Sequence, residues 1–252
     1  VSRSNPTDGV TNPSRRWFEY AGGSDGGVVR YYDKEAKKDV VVGEQFQFIL
    51  LDELATVKGW HDASDSGIFA NEVRDTKQDV MVVRSFKGGE LASGVYSSIR
   101  DRIGAMGGHF VASCYIAFKD DDGKLAIGNL GFKGAALNAW VEFKKSAGTK
   151  KDDSGKSVRA YYVDAVKITG FEEGQKGRVV YRVPKFALTP ISAESHKAAI
   201  DLDRELQSFL DDYLRRPRTE QAAKAATDAP AKSEAELDER RAAEFVDDDI
   251  SF

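Results

Sequence analysis

Histidine, cysteine and methionine are scarce in this sequence: 3, 1 and 2 in 252 residues. The single cysteine, Cys114, cannot close an internal disulfide, and within the alternating run HFVASCYIAF it reads as a small buried hydrophobe. His61, His109 and His196 stand far apart, none of them in an H-x-E, HExxH or CxxC setting, so no metal and no cofactor are expected. Long apolar runs are also missing. The densest, Phe46 to Leu51, is only strand-sized, so no membrane span is expected, and VSRSNPTDGVTNPS has no apolar core to act as a secretory signal. These absences together point to a reducing cytoplasm.

A catalytic constellation is lacking as well. KKDDSGKS ends like a phosphate-binding loop, but the position that needs its first glycine is Lys150, and a charged loop stands where a buried strand should precede it. Asp120, Asp121 and Asp122, followed by Gly123 between two strand-like runs, read as a hairpin turn rather than a metal site. The expectation is a binding protein, not an enzyme.

What is present is a charge asymmetry. The net charge of -4 divides into 28 Lys/Arg against 25 Asp/Glu over residues 1–190, and 9 against 16 over residues 191–252. A mildly basic body therefore carries an acidic tail that can compete with another polyanion for the body's surface.

About nine runs have the two-residue alternation or β-branched content of strands. RRWFEY and VVRYYD are split by the glycine-rich AGGSDGG, FQFILLDEL and HFVASCYIAF alternate, and SVRAYYVDAVKITGF with GRVVYRVPKFAL makes a long hairpin. GVYSSIRDRIGAM and ALNAWVEFKK have helical spacing, with Trp140 on the buried side, and KSAGTKKDDSGKS between them and the hairpin reads as a solvated loop. With no βαβ alternation, the expected class is mainly β: an elaborated Greek-key barrel like an OB-fold, with short helices, a β-sandwich being the alternative. Five stretches are expected: a flexible N-terminus 1–14, the β domain 15–190, a C-terminal helix 191–216, a disordered linker 217–243 and an acidic tip 244–252. Thr189-Pro190 opens the helix and Ala199, Leu202, Leu206, Phe209 and Tyr213 form its apolar stripe. The linker is Ala/Lys/Glu/Asp-rich with almost no large apolar residue.

Cations and aromatics interleave along the body. Arg15 and Trp17 share one side of a strand; Tyr31 follows Arg30; Lys58 and Trp60 flank a glycine. Arg84, Phe86 and Lys87 close another strand, Arg159 and Tyr161 share a face, and Arg182 follows Tyr181. Such pairs suit a single strand of nucleic acid, whose phosphates need cations and whose bases stack on aromatic faces. The competing reading of each pair is a core ring beside a solvated arginine.

The last residues, VDDDISF, resemble the tip of bacterial single-stranded DNA-binding proteins, an acidic run ending Asp-Asp-Asp-Ile-Pro-Phe. Asp247, Asp248, Asp249, Ile250 and Phe252 match and Ser251 replaces the proline. A large β body, a linker and an acidic tail ending in phenylalanine look like the phage-encoded members of that class. The resemblance implies an OB-fold body that coats single-stranded DNA during replication or recombination, as a possible homo-oligomer in a bacterial or phage-infected cell. It also implies that Phe252 enters an apolar pocket on a replication or repair enzyme while the aspartates meet its basic rim. Two other classes stay open: a β-domain adaptor that contacts protein, and a metal-dependent nuclease.

Overall fold

The computed structural model describes residues 11–216, Asp153 excepted. The segments 217–243 and 244–252, and the start of 1–14, lie outside the described residues.

The chain is mainly β, with a C-terminal helix, as expected. β1 (Arg16–Ala21), β2 (Val28–Asp33) and β3 (Lys38–Gly43) form a meander, and β4 (Phe46–His61) is a 16-residue strand. β5 (Ser66–Ala70), β6 (Met81–Ser85) and β7 (Gly89–Gly94) follow, then α1 (Tyr96–Ala105). β8 (Gly108–Lys119) and β9 (Leu125–Lys133) lead to α2 (Gly134–Ser146). β10 (Thr149–Lys151) and β11 (Ser157–Arg159) make a small hairpin, β12 (Ala165–Lys176) and β13 (Val179–Thr189) a long one, and α3 (Ala193–Arg215) ends the body. The main sheet has 11 strands in the order β3-β2-β1-β9-β8-β4-β5-β6-β7, with β12–β13 branching from β4. β1 lies parallel to β9, a pairing no simple meander makes.

Strands β1, β9, β8, β4, β12 and β13 wrap one core around Trp140 of α2, which is fully buried against Phe48, Phe132 and Phe186. Between β13 and the β1–β2 turn runs one backbone hydrogen bond, Arg182 N to Gly22 O at 2.8 Å, and among the described residues no strand pairing closes the sheet into the expected barrel. A second core, under α1, joins Val57, Ile68, Met81 and Val83 to Ile99 and Ile103. The other face of the sheet is capped by α3, whose Leu206, Phe209, Leu210 and Tyr213 cover Leu54, Tyr115 and Ile127.

A bulge in β4 lets one strand serve both cores. Its pairing with β8 slips between Leu50 and Asp52, so Phe46, Phe48 and Leu50 face Trp140 before the slip, and Glu53, Ala55 and Val57 face the same side after it. Glu53 accepts from Trp140 Nε1 at 2.9 Å and from Lys144 Nζ at 2.6 Å, which anchors α2.

Three local expectations are corrected. The segment expected to be a solvated loop holds the β10–β11 hairpin, closed by Asp152, whose carboxylate accepts from Ser154 N and Lys156 N; Gly155 takes the left-handed turn conformation at φ 77°. The run RAYY breaks from strand into a 3-10 turn over Ala160–Tyr162. The last helix opens on Ser192, whose Oγ accepts from Ser195 N at 3.1 Å, and not on Thr189-Pro190, because Thr189 still belongs to β13. The acidic turn is as expected, with Asp120 Oδ1 accepting from Asp122 N and Lys124 N.

Candidate functional site

The face of the sheet opposite Trp140 is covered by α3 at one end only. Beyond the helix, register fixes which side chains form the floor, because directly paired residues point to the same side. Trp17 pairs with Asn129, which pairs with Tyr115. In the next row Arg30 pairs with Glu19, Glu19 with Gly131 and Gly131 with Ser113. Lys133 stands opposite Val111 and Thr56; His109 stands opposite Lys58, and Lys58 opposite Phe69. Trp60 closes the series opposite Gly67.

These rows line a groove of about 530 Å³, walled by Phe209 and Tyr213 of α3 on one side and by Phe86 and the β4–β5 turn on the other. Trp60 reaches its place because β4 comes against the loop before β8: Trp60 N donates to Gly107 O, and a Cβ on Gly59 would sit 2.0 Å from that oxygen. Only glycine at 59 permits this approach.

Aromatic faces and charges alternate around the groove. Lys34 Nζ lies 5.3 Å above the Trp17 ring, and Phe86, 52 % exposed, packs on Phe69 with centroids 4.7 Å apart. Burial would push the Glu19 carboxyl up, but Lys133, Arg30 and Lys58 outweigh it and hold the group below its ordinary value. Arg30 Nε donates to Glu19 Oε1 at 2.6 Å. Deeper, under the end of α3, Glu72 accepts from Tyr115 Oη at 2.6 Å and from Ser113 Oγ, while Asn129 Nδ2 donates to Ser113 Oγ at 2.7 Å. Burial, then the neighbouring Glu72 carboxylate, keep the Tyr115 phenol protonated far above its ordinary range. Glu72 N donates to Tyr213 Oη at 2.8 Å, which ties α3 to the groove.

The structure brings three of the expected contact residues together here, Trp17, Trp60 and Phe86, while Tyr31 touches the lining but pairs with Phe18 and packs on the core of the other face. The others lie elsewhere. Arg15 pairs with Asp120 at 3.3 Å, and Arg84 continues the row of Lys58 and Phe69 past the groove lining, where it faces Glu90 at 3.8 Å. Lys87 Nζ donates to Asp65 O at 3.0 Å. Arg182 donates to Gly26 O at 2.7 Å, pairs with Glu173 and covers the Phe171 ring, so it joins two hairpins. Arg159 is exposed on the β10–β11 hairpin, and Tyr161 is a core residue beside Trp140, so the shared face expected of that pair is corrected. The 3-10 turn between strands turns Tyr161 inward. Tyr31 is divided between roles, its ring edge-on to Phe18 and under the Arg16 guanidinium at 4.6 Å.

Lys58, Lys133, His109, Tyr32, Phe69 and the wall residues Phe209 and Tyr213 also line the groove. Lys58 was legible as the residue two before Trp60 in a strand. Lys133 and His109 had no local signal, since their place follows from pairing across β9, β8 and β4. Asp247, Asp248, Asp249, Ile250 and Phe252 lie outside the described residues.

Among the described residues no group of three His, Cys, Asp or Glu side chains is placed to hold a metal ion, and no helix is long and apolar enough to cross a membrane. Fold and site define a mainly β protein with an aromatic-walled groove on one face of a large mixed sheet. No family model matches the chain, and neither a curated protein nor a solved structure is similar to it.

Proposed function

We propose that the protein binds single-stranded DNA without cleaving it and recruits replication or repair enzymes through its acidic C-terminal tip. The observation that carries the first half is the groove: Trp17, Trp60 and Phe86 stand around one depression whose floor holds Lys58 and Lys133. Unstacked bases meet aromatic faces there while phosphates meet the lysines, the combination that single-strand binding needs. The second half rests on the match of Asp247, Asp248, Asp249, Ile250 and Phe252 to the bacterial tip sequence. A terminal ring in an apolar pocket supplies the anchor, and the aspartates speed encounter with a basic rim. The cytoplasm of a bacterial or phage-infected cell is where such a protein would act.

A second reading, the adaptor, is favoured by one specific observation. Arg15, Arg16, Arg84 and Arg182 all face carboxylates of the body, and Glu19, Asp39, Asp62 and Glu72 line the groove beside its lysines. A groove of mixed charge also suits a protein segment. Mobility shifts with single- and double-stranded oligonucleotides, with and without Mg²⁺ and across a salt series, separate the readings. Salt-sensitive preference for the single strand without cleavage is the expected result. Absence of binding to either form at low salt would sink the DNA reading in favour of the adaptor, and Mg²⁺-dependent cleavage would replace it with a nuclease.

A further inference from the structure

Three strands of the main sheet, β3, β7 and β13, pair on one side only among the described residues. β13 is held to the β1–β2 turn at Arg182, and its Phe186 and Leu188 pack on the core around α2. β7 buries Leu91 and Ala92 and runs directly into α1. Among the described residues β3 has no comparable cover. Val41 is 61 % exposed, more than any other large apolar side chain described, and its neighbour Val42 is 42 % exposed. The pairing of β3 with β2 slips between Arg30–Val41 and Val29–Gly43, which leaves Val42 as the extra residue and both valines outward. An edge that shows open backbone groups and adjacent valines is a template for another strand.

The charges flanking those valines say which strand. Lys37 and Lys38 are exposed at the start of β3, and Glu44 is exposed just past its end. An antiparallel neighbour with the same sequence, centred on Val41, sets Lys38 against Glu44 of the second copy, and the two-fold axis repeats the pair. A β3 edge is thus complementary to itself in both charge and apolar content.

We infer that β3 is a self-association edge, through which two copies of this chain pair antiparallel about Val41 with Lys38 facing Glu44 across the axis. Val41 pairs with Arg30, which pairs with Glu19, so it extends a row of the groove floor. Two copies joined at this edge lay their grooves on one continuous sheet and offer a single strand a longer track. That consequence rests on the DNA-binding reading; the pairing itself does not.

The test is sedimentation velocity of the full chain over a concentration series, without DNA. The expected result is a reversible dimer that Val41→Lys abolishes while the circular dichroism spectrum is unchanged, since the side chain is exposed. Lys38→Glu and Glu44→Lys should each weaken the dimer about tenfold by placing like charges opposite one another, and the double exchange should restore it. A wild-type monomer at all concentrations overturns the inference. So does a dimer indifferent to Val41→Lys, or one lost only when residues 217–252 are removed. None of these outcomes involves DNA, so a failed edge leaves the groove reading standing, and a failed mobility shift leaves the edge standing.

Discussion

Glu19 shows how one side chain links stability to binding. Its carboxylate lies among Lys133, Arg30 and Lys58 and is held below its ordinary value of 4.5, so the ionised form is the one the fold favours. That contribution is complete above the unfolded value and is lost as pH falls through the lower folded one, so acid unfolding should draw on it below about pH 4.5. With the side chain 31 % exposed, the effect is on the order of 1 kcal/mol. Glu19→Gln should therefore melt lower at neutral pH, lose part of the acid sensitivity, and bind single-stranded DNA more tightly at low salt because the three cations are no longer offset. Melting curves from pH 3 to pH 7, an interval spanning the roughly one-unit scatter around carboxylate values, read the first two effects; unchanged acid sensitivity would remove Glu19 from that role. Trp60 and Trp17 test the groove more directly. Alanine at either should cost about 1–3 kcal/mol of single-strand binding with little change in melting temperature. Normal binding with a lowered melting temperature would make these rings packing residues. The sequence placed both tryptophans beside cations, and in the fold both line the groove. It also proposed Tyr161, whose ring is buried because the three-residue 3-10 turn Ala160–Tyr162 stands where strand was expected, a change no alternation pattern records.

At the scale of elements, α3 does two jobs. The stripe Leu206, Phe209, Leu210 and Tyr213 buries the outer face of β4, β8 and β9, and the same helix forms one wall of the groove. Phe209→Ala should cost about 3–5 kcal/mol, the range for losing a fully packed ring. Truncation after Pro190 should expose Leu54, Tyr115 and Ile127 and give a protein that melts lower and self-associates, measured by calorimetry and light scattering. A truncated chain as stable and as dispersed as the full one would mean that the helix is dispensable. The stripe was readable from its 3.6-residue period, and so was the buried side of α2. The bulge at Leu51 was not. The alternation of Phe46, Phe48 and Leu50 continues smoothly into a reading with the wrong parity, and only pairing with β8 shows that Glu53, Ala55 and Val57 share the inner face.

For the whole molecule, α3 contributes Phe209 and Tyr213 to the groove wall and ends at Arg215. Deleting residues 244–252 should raise single-strand affinity, most clearly at low salt where screening is weak. Phe252→Ala should leave DNA affinity unchanged and weaken partner binding by about 2 kcal/mol or more. Fluorescence anisotropy with labelled oligonucleotide, and pull-down of replication proteins with the full chain as bait, read the two effects separately. Equal DNA affinity with and without the tip at low salt would end the competition idea. Intact pull-downs with Phe252→Ala would end the recruitment idea.

What the sequence determined by itself is local. Periodicity set the mainly β class, the two inner helices and the long C-terminal one, because side chains alternate or recur within a single element. Charge counting separated body from tail, since net charge needs no geometry. What only the tertiary structure decided is which elements meet. The parallel pairing of β1 with β9 brings Trp17 to Asn129 and Glu19 to Gly131 across more than a hundred residues of chain. The bulge in β4 then turns Lys58 and Trp60 toward the same face, and the ion pairs with Asp120, Asp121 and Glu173 draw Arg15, Arg16 and Arg182 into structural roles. Register across a sheet follows from the summed burial of many strands at once, and no single stretch of sequence contains that sum.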